Sequence, residues 1–292
     1  MKINTGSRLG LLTLCLSLAG LLPERPAEAN QGFPLQQETP YGSDERQRFD
    51  VHGAGRGQAA PVILLVHGGG WAHGDKAARA LVRNKVARWL PQGLILVSIN
   101  YRLLPDADPL EQAGDVALAL SKAQALAESW GGDPARFILM GHSAGAHLVA
   151  LLAASPDLAL KQGARPWLGT VALDSAAFDV ALIMRARHPR LYDRAFGRDP
   201  AYWRAASPLQ VLTPGGAPLL AVCSSRRDDS CPQARIFAAQ AARLDRSVQV
   251  LERDLSHRAI NQELGLPGDY TERVEAFLRS LDPSLEVLLA EP

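Results

Sequence analysis

The five residues Gly141–Gly145 read GHSAG, with an apolar run, Phe137–Met140, before them and an alanine- and leucine-rich stretch after them. Such a run reads as a buried strand and such a stretch as a helix, so Ser143 stands on the turn between the two. A serine in that context sits on a sharp, strained turn that lifts its hydroxyl above the sheet, while the flanking glycines let strand and helix approach. The chemistry this suits is attack of the hydroxyl on an acyl carbon. The tetrahedral intermediate then carries negative charge and needs donors already in place. The amide of Ala144 is one expected donor. A second glycine cluster, His67–Trp71 (HGGGW), closes another apolar run. The amides of Gly69 and Gly70 are the other expected donors, with no side chain to intervene. His67 lies before the glycines and is expected to brace that loop rather than to act as a base.

A serine hydroxyl is a poor nucleophile at neutral pH, so a histidine and an orienting carboxylate are required. Seven histidines compete. His52 and His73 lie away from the late strands, His142 and His147 flank the nucleophile turn, and His188 falls in a long irregular stretch. Only His257, in the segment DLSHRAI, follows the last strand, and the chain order serine, acid, histidine makes it the expected base. The acid is then expected after the preceding strand, where the chain reads SSRRDDSCPQ. Asp228 is the choice, with Asp229 the alternative, since adjacent side chains cannot both face His257. Asp174 and Asp179 follow an earlier strand, one strand too soon. Trp71 and Phe178 are expected to line the pocket, with ordinary core packing the alternative for either.

The elements that must position these residues are short apolar runs alternating with amphipathic ones. Strands are expected at residues 62–66, 94–99, 137–140, 170–173, 219–224 and 248–251. Helices are expected from Asp75 to about Leu90, and over 110–130, 144–154, 232–244 and 270–281. Phe49–His52 reads as an edge strand. Continuously apolar strands between helices imply a mostly parallel sheet covered on both faces, which is an α/β architecture. Residues 176–216 break the rhythm. They read as a partly helical excursion over the C-terminal edge of the sheet, where open α/β proteins bind ligands.

The 292 residues carry a net charge of +1, so no basic surplus points to nucleic acid. The N-terminus is distinct. Lys2 and Arg8 precede an apolar stretch, Leu9–Leu22, and Ala27-Glu28-Ala29 offers small residues for cleavage. That is the layout of a secretory leader over residues 1–29, cut after Ala29, leaving one domain over residues 30–292 and no stable membrane span. The expected location is secreted or periplasmic. Cys223 and Cys231 are the cysteines left after such a cut, and in an oxidising compartment they are expected to form a disulfide across the acid loop.

Taken together, HGGGW, NYRL, WGGDPARFILMGHSAGAHL, FGRDPAYWRAASP, the Asp228 loop and His257 resemble an α/β-hydrolase. The likeness is to the hormone-sensitive-lipase-like esterases and the related kynurenine-formamidase-like and feruloyl-esterase-like hydrolases, and it runs from about Phe49 to Leu281. It implies the α/β-hydrolase fold, a Ser143, Asp228 and His257 triad, a small-molecule ester substrate, and no metal or organic cofactor. An arylformamidase with the same machinery is the alternative, and a binding module without catalysis a remote one. Two features depart from the family pattern. The acid loop reads RRDDSC instead of a simple Gly-x-x-Asp turn, and the stretch before Phe49 is too short for a large lid domain.

Overall fold

A computed structural model describes residues 1–2, 35–53 and 59–290. The chain divides into two units, Met1–Gly32 and Phe33–Pro292, and the account below concerns the second. The expected leader falls, apart from its first two residues, outside the described residues.

Strand β3 (Ala60–Val66) is buried along its whole length, as a strand with helices on both sides must be. Its side chains alternate between two cores. Val62, Leu64 and Val66 pack with Val97 and Leu139 on one face. Ile63 and Leu65 pack with Leu96, Ile138 and Met140 on the other. The partners come from β4 (Ile95–Ile99) and β5 (Gly132–His142), which flank β3 in parallel. Beyond β5 lie β6 (Gly169–Leu173), β7 (Leu219–Ser224) and β8 (Val248–Arg253), all parallel. On the other side β2 (Arg48–His52) pairs antiparallel with β4, and β1 (Leu35–Pro40) antiparallel with β2. The order is β1-β2-β4-β3-β5-β6-β7-β8. Phe49–His52 is therefore an inner strand. The strand outside it, LQQETP, has no apolar alternation to announce it.

Helix α1 (Arg79–Trp89) starts four residues after Asp75, because Asp75 turns back to accept the Ala77 amide. Helix α2 (Pro109–Leu126) starts on a capping box between Asp108 and Glu111, with Pro109 where its missing amide costs nothing. It tightens to a 3₁₀ turn at Ala127–Trp130 and stops at Gly131, whose φ of 80° is left-handed. Helix α3 (Ala144–Ala154) is buried throughout, and the short α4 (Asp157–Leu160) follows it. The excursion folds as three short helices, α5 (Val180–Arg185), α6 (Arg190–Phe196) and α7 (Pro200–Ala205). Then come α8 (Ser230–Ala242), α9 (His257–Gln262), α10 (Asp269–Arg279) and α11 (Pro283–Leu288). Because β3 and β5–β8 run parallel, the loops at their C-terminal ends gather at one edge of the sheet.

Candidate active site

At that edge Ser143 joins β5 to α3 with φ 57° and ψ −117°, a conformation that non-glycine residues seldom hold. Its amide donates to the Leu173 carbonyl at 2.9 Å, which ties the turn to β6. The flanking glycines are required sterically. A Cβ on Gly141 would meet the Gly145 carbonyl oxygen at 2.3 Å, and one on Gly145 would meet that of Val66 at 2.3 Å. The glycines of the β3 loop answer the same demand. A Cβ on Gly68 would come within 2.9 Å of Ser143 Cβ, so this loop lies directly against the serine. Gly69 and Gly70 have φ of 128° and 59°.

Ser143 Oγ lies 3.0 Å from Nε2 of His257, the first residue of α9. His257 Nδ1 lies 2.5 Å from Asp174 Oδ2. Serine hydroxyl, imidazole and carboxylate thus form one chain of hydrogen bonds across three loops. The carboxylate differs from the one the sequence points to. Asp174 directly follows β6, is fully buried, and takes φ 56°, which turns its side chain beneath the imidazole. Asp228 is exposed and faces a cavity of about 270 Å³ beside the excursion, and Asp229 pairs with Arg227. The reason lies in how the β7–α8 loop closes. Cys223 and Cys231 are disulfide-bonded, with Cα atoms 5.1 Å apart, and the short loop between them turns Arg227 inward and both aspartates outward.

Asp174 is held from all sides. The Ser224 amide (2.8 Å) and the Ser230 hydroxyl donate to Oδ1, and Arg227 Nη1 donates to Oδ2 at 3.0 Å. Burial alone would raise its carboxyl, but the bonds from His257 and Ser230, the Arg227 charge and the Ser224 amide outweigh it. They hold the carboxyl well below the ordinary range. These contacts favour the carboxylate anion.

The helix that carries His257 is fastened in turn. His142 Nε2 donates to the His257 carbonyl at 2.9 Å, and burial followed by the charge of His257 pushes the His142 imidazole down to about 3. His142 is therefore a neutral brace. At the other end of α9, the buried Lys85 of α1 donates to the Asn261 carbonyl (2.7 Å) and side-chain oxygen (2.9 Å).

Both aromatic residues assigned to the pocket are core. Phe178 is 1% exposed and stacks on Phe237 at 4.8 Å, beneath the excursion, because β6 leads straight into the packed layer of α8. Trp71 is 3% exposed and braces the glycine loop. Its indole donates to His147 Nδ1 at 3.2 Å and packs on Phe196 and Tyr192 at 4.9 and 5.8 Å. His67 keeps to its loop, with Nδ1 donating to the Gly68 carbonyl and its ring stacked on Tyr101. Among the described residues, no group of three or more His, Cys, Asp and Glu side chains is placed to hold a metal ion.

The BD-FAE family model matches residues 50–178, the part of the chain that carries the glycine loop, the serine turn and Asp174. Esterase LipC of Mycobacterium tuberculosis is 30% identical over 224 residues, 71% of this chain and 55% of that protein. Esterase LipQ of the same organism is 29% identical over 77% of this chain and 56% of its own length. The chain thus spans about half the length of the curated relatives it matches. Among solved structures, esterase B of Lactobacillus rhamnosis superposes with a TM-score of 0.69 at 20% identity, over 87% of this chain and 86% of the other.

Proposed function

This chain is an α/β-hydrolase of the esterase-like group, and from that premise we propose that it cleaves carboxylic esters through an acyl-enzyme on Ser143. The observation that carries the reading is the unbroken chain from Ser143 Oγ through His257 to Asp174, set on a strained turn. His257 Nε2 takes the proton from Ser143 as the hydroxyl attacks the carbonyl carbon. Asp174 holds the Nδ1–H tautomer and stabilises the imidazolium that results. The amides of Gly69, Gly70 and Ala144 hold the oxyanion, donors whose approach the glycine loop's closeness to Ser143 supports. His257 then returns its proton to the leaving alcohol, and a water activated by the same nitrogen releases the acid.

The substrates are soluble esters with short acyl chains or small aromatic groups. The excursion over the site consists of helices of six or seven residues, with no long amphipathic lid among the described residues. The protein is exported. The Lys2, Arg8 and Leu9–Leu22 pattern supports this, as does a disulfide on the β7–α8 loop, a bond that persists in oxidising compartments. No helix among the described residues is long and apolar enough to cross a membrane.

The test is a substrate panel on the full chain: p-nitrophenyl acetate, butyrate and palmitate, a methyl hydroxycinnamate, and N-formylkynurenine. Turnover of the short or aromatic esters above the formyl amide is expected. Turnover of N-formylkynurenine alone would move the reading to formyl-amide hydrolysis on the same residues, and no turnover of any compound in the panel would overturn it.

A further inference from the structure

The stretch SSRRDDSC, from the end of β7 into the start of α8, does not supply the carboxylate that pairs with His257; it surrounds it. Besides the Ser224 amide and the Ser230 hydroxyl on Oδ1, it places the Arg227 guanidinium at the joint between acid and imidazole. Nη1 lies 3.0 Å from Asp174 Oδ2, 3.2 Å from the Asp174 carbonyl oxygen and 3.1 Å from His257 Nδ1. Nη2 meets the Asp229 carboxylate at 3.1 Å.

We propose that Arg227 is a positioning residue for the reaction: its guanidinium locks the Asp174 carboxylate against His257 Nδ1. The inference rests on the reading of Ser143, His257 and Asp174 as the reacting set. A guanidinium only donates, and stays charged at every accessible pH. His257 Nδ1 must also donate to serve Asp174, so the two nitrogens do not bond each other; they converge on the same Oδ2. With Oδ2 shared in this way and Oδ1 held by two serines, the carboxylate cannot turn from the imidazole without breaking a charge-assisted bond. Asp174 is fully buried and Arg227 three-quarters so, so little water is at hand to replace that bond. Asp229 balances the remaining charge of the cation beside a histidine that must itself become cationic.

The same geometry sets how Arg227 behaves when the carboxylate is lost. In Asp174→Asn the Nδ1 lone pair would accept from Nη1, favouring the tautomer with its proton on Nε2, where it cannot take a proton from Ser143. Arg227 therefore helps only through Asp174. Without the carboxylate it is neutral or harmful.

A double-mutant cycle on the full chain tests this, with p-nitrophenyl butyrate as substrate and thermal melting to confirm folding. Arg227→Met should lower kcat on the order of tenfold or more with little change in KM. Arg227→Lys, which keeps a charge but loses the fork, should recover part of the loss. In the Asp174→Asn background Arg227→Met should cost nothing, or raise kcat. Equal losses in both backgrounds, or wild-type kcat in Arg227→Met, would overturn the inference. Should Arg227→Met fail to fold, Arg227→Lys carries the same cycle: its loss must vanish once Asp174 is replaced. Inactive Ser143→Ala and Asp174→Asn beside a fully active Arg227→Met would leave the esterase reading standing. Absence of turnover by the wild-type chain would overturn both.

Discussion

His257 Nδ1 meets Asp174 Oδ2 at 2.5 Å, so the carboxylate that orients the imidazole stands at the end of β6, on the strand next to the serine's own. The β7 loop, where the strand before the histidine's leads one to look, contributes the acid's donors instead.

Asp174→Asn is expected to lower kcat by about 10⁴, the drop measured in a related triad when the acid becomes an amide and the imidazole takes the wrong tautomer. Asp228→Asn should stay within a few-fold of wild type, its side chain being exposed and the partner of His257 being Asp174. Steady-state kinetics on a p-nitrophenyl ester would show this ranking; the reverse ranking would return the acid to the β7 loop.

Much of this site is legible in the sequence because its parts are sterically forced. A serine on a strand-to-helix turn needs Gly141 and Gly145, and a loop lying against that serine needs the glycines of HGGGW. The acid is not legible in the same way. A buried aspartate at a strand end and an exposed one in a loop look alike as letters, and the expectation that the acid follows the strand just before the histidine's favours the later one. Asp174 did leave a signal: it follows its apolar strand as directly as Ser143 follows β5. Strand β1 stayed hidden because a polar strand at the sheet's edge has no periodicity to read.

The disulfide should be quantitative. Mass spectrometry of the unreduced, denatured protein, alkylated at both stages, should find Cys223 and Cys231 unmodified before reduction and modified after it. Replacing both by serine should destabilise the fold by about 2–3 kcal/mol on the loop-entropy account. It should also reduce kcat, because Ser224, Arg227 and Ser230 all lie between the two cysteines. Two free thiols before reduction would contradict this.

Lys85 gives a prediction about pH. Burial lowers its ammonium from 10.5 to about 7, and its partners are neutral oxygens. The unfolded chain keeps that proton up to its ordinary value, so between about 7 and 10.5 it binds more protons than the folded one, and this group makes stability rise with pH. Below about 7 both states carry the proton, and the cost of the buried charge is constant. Urea denaturation across that window, compared between wild type and Lys85→Met, should show a steeper upward slope for the wild type. Equal slopes would mean that Lys85 keeps its proton when folded.

Substrate size follows from the short excursion. Rates should fall from butyrate to palmitate esters, with no jump in activity as a long-chain triglyceride passes its solubility limit. Such a jump would require a mobile lid, for which α5, α6 and α7 are too short.

The central claim is that Ser143 is the nucleophile, and the direct measurement is turnover of p-nitrophenyl butyrate by Ser143→Ala, with the melting curve recorded beside it. The account predicts a loss on the order of 10⁴ or more in kcat with the fold retained. A folded Ser143→Ala with near wild-type turnover would contradict it.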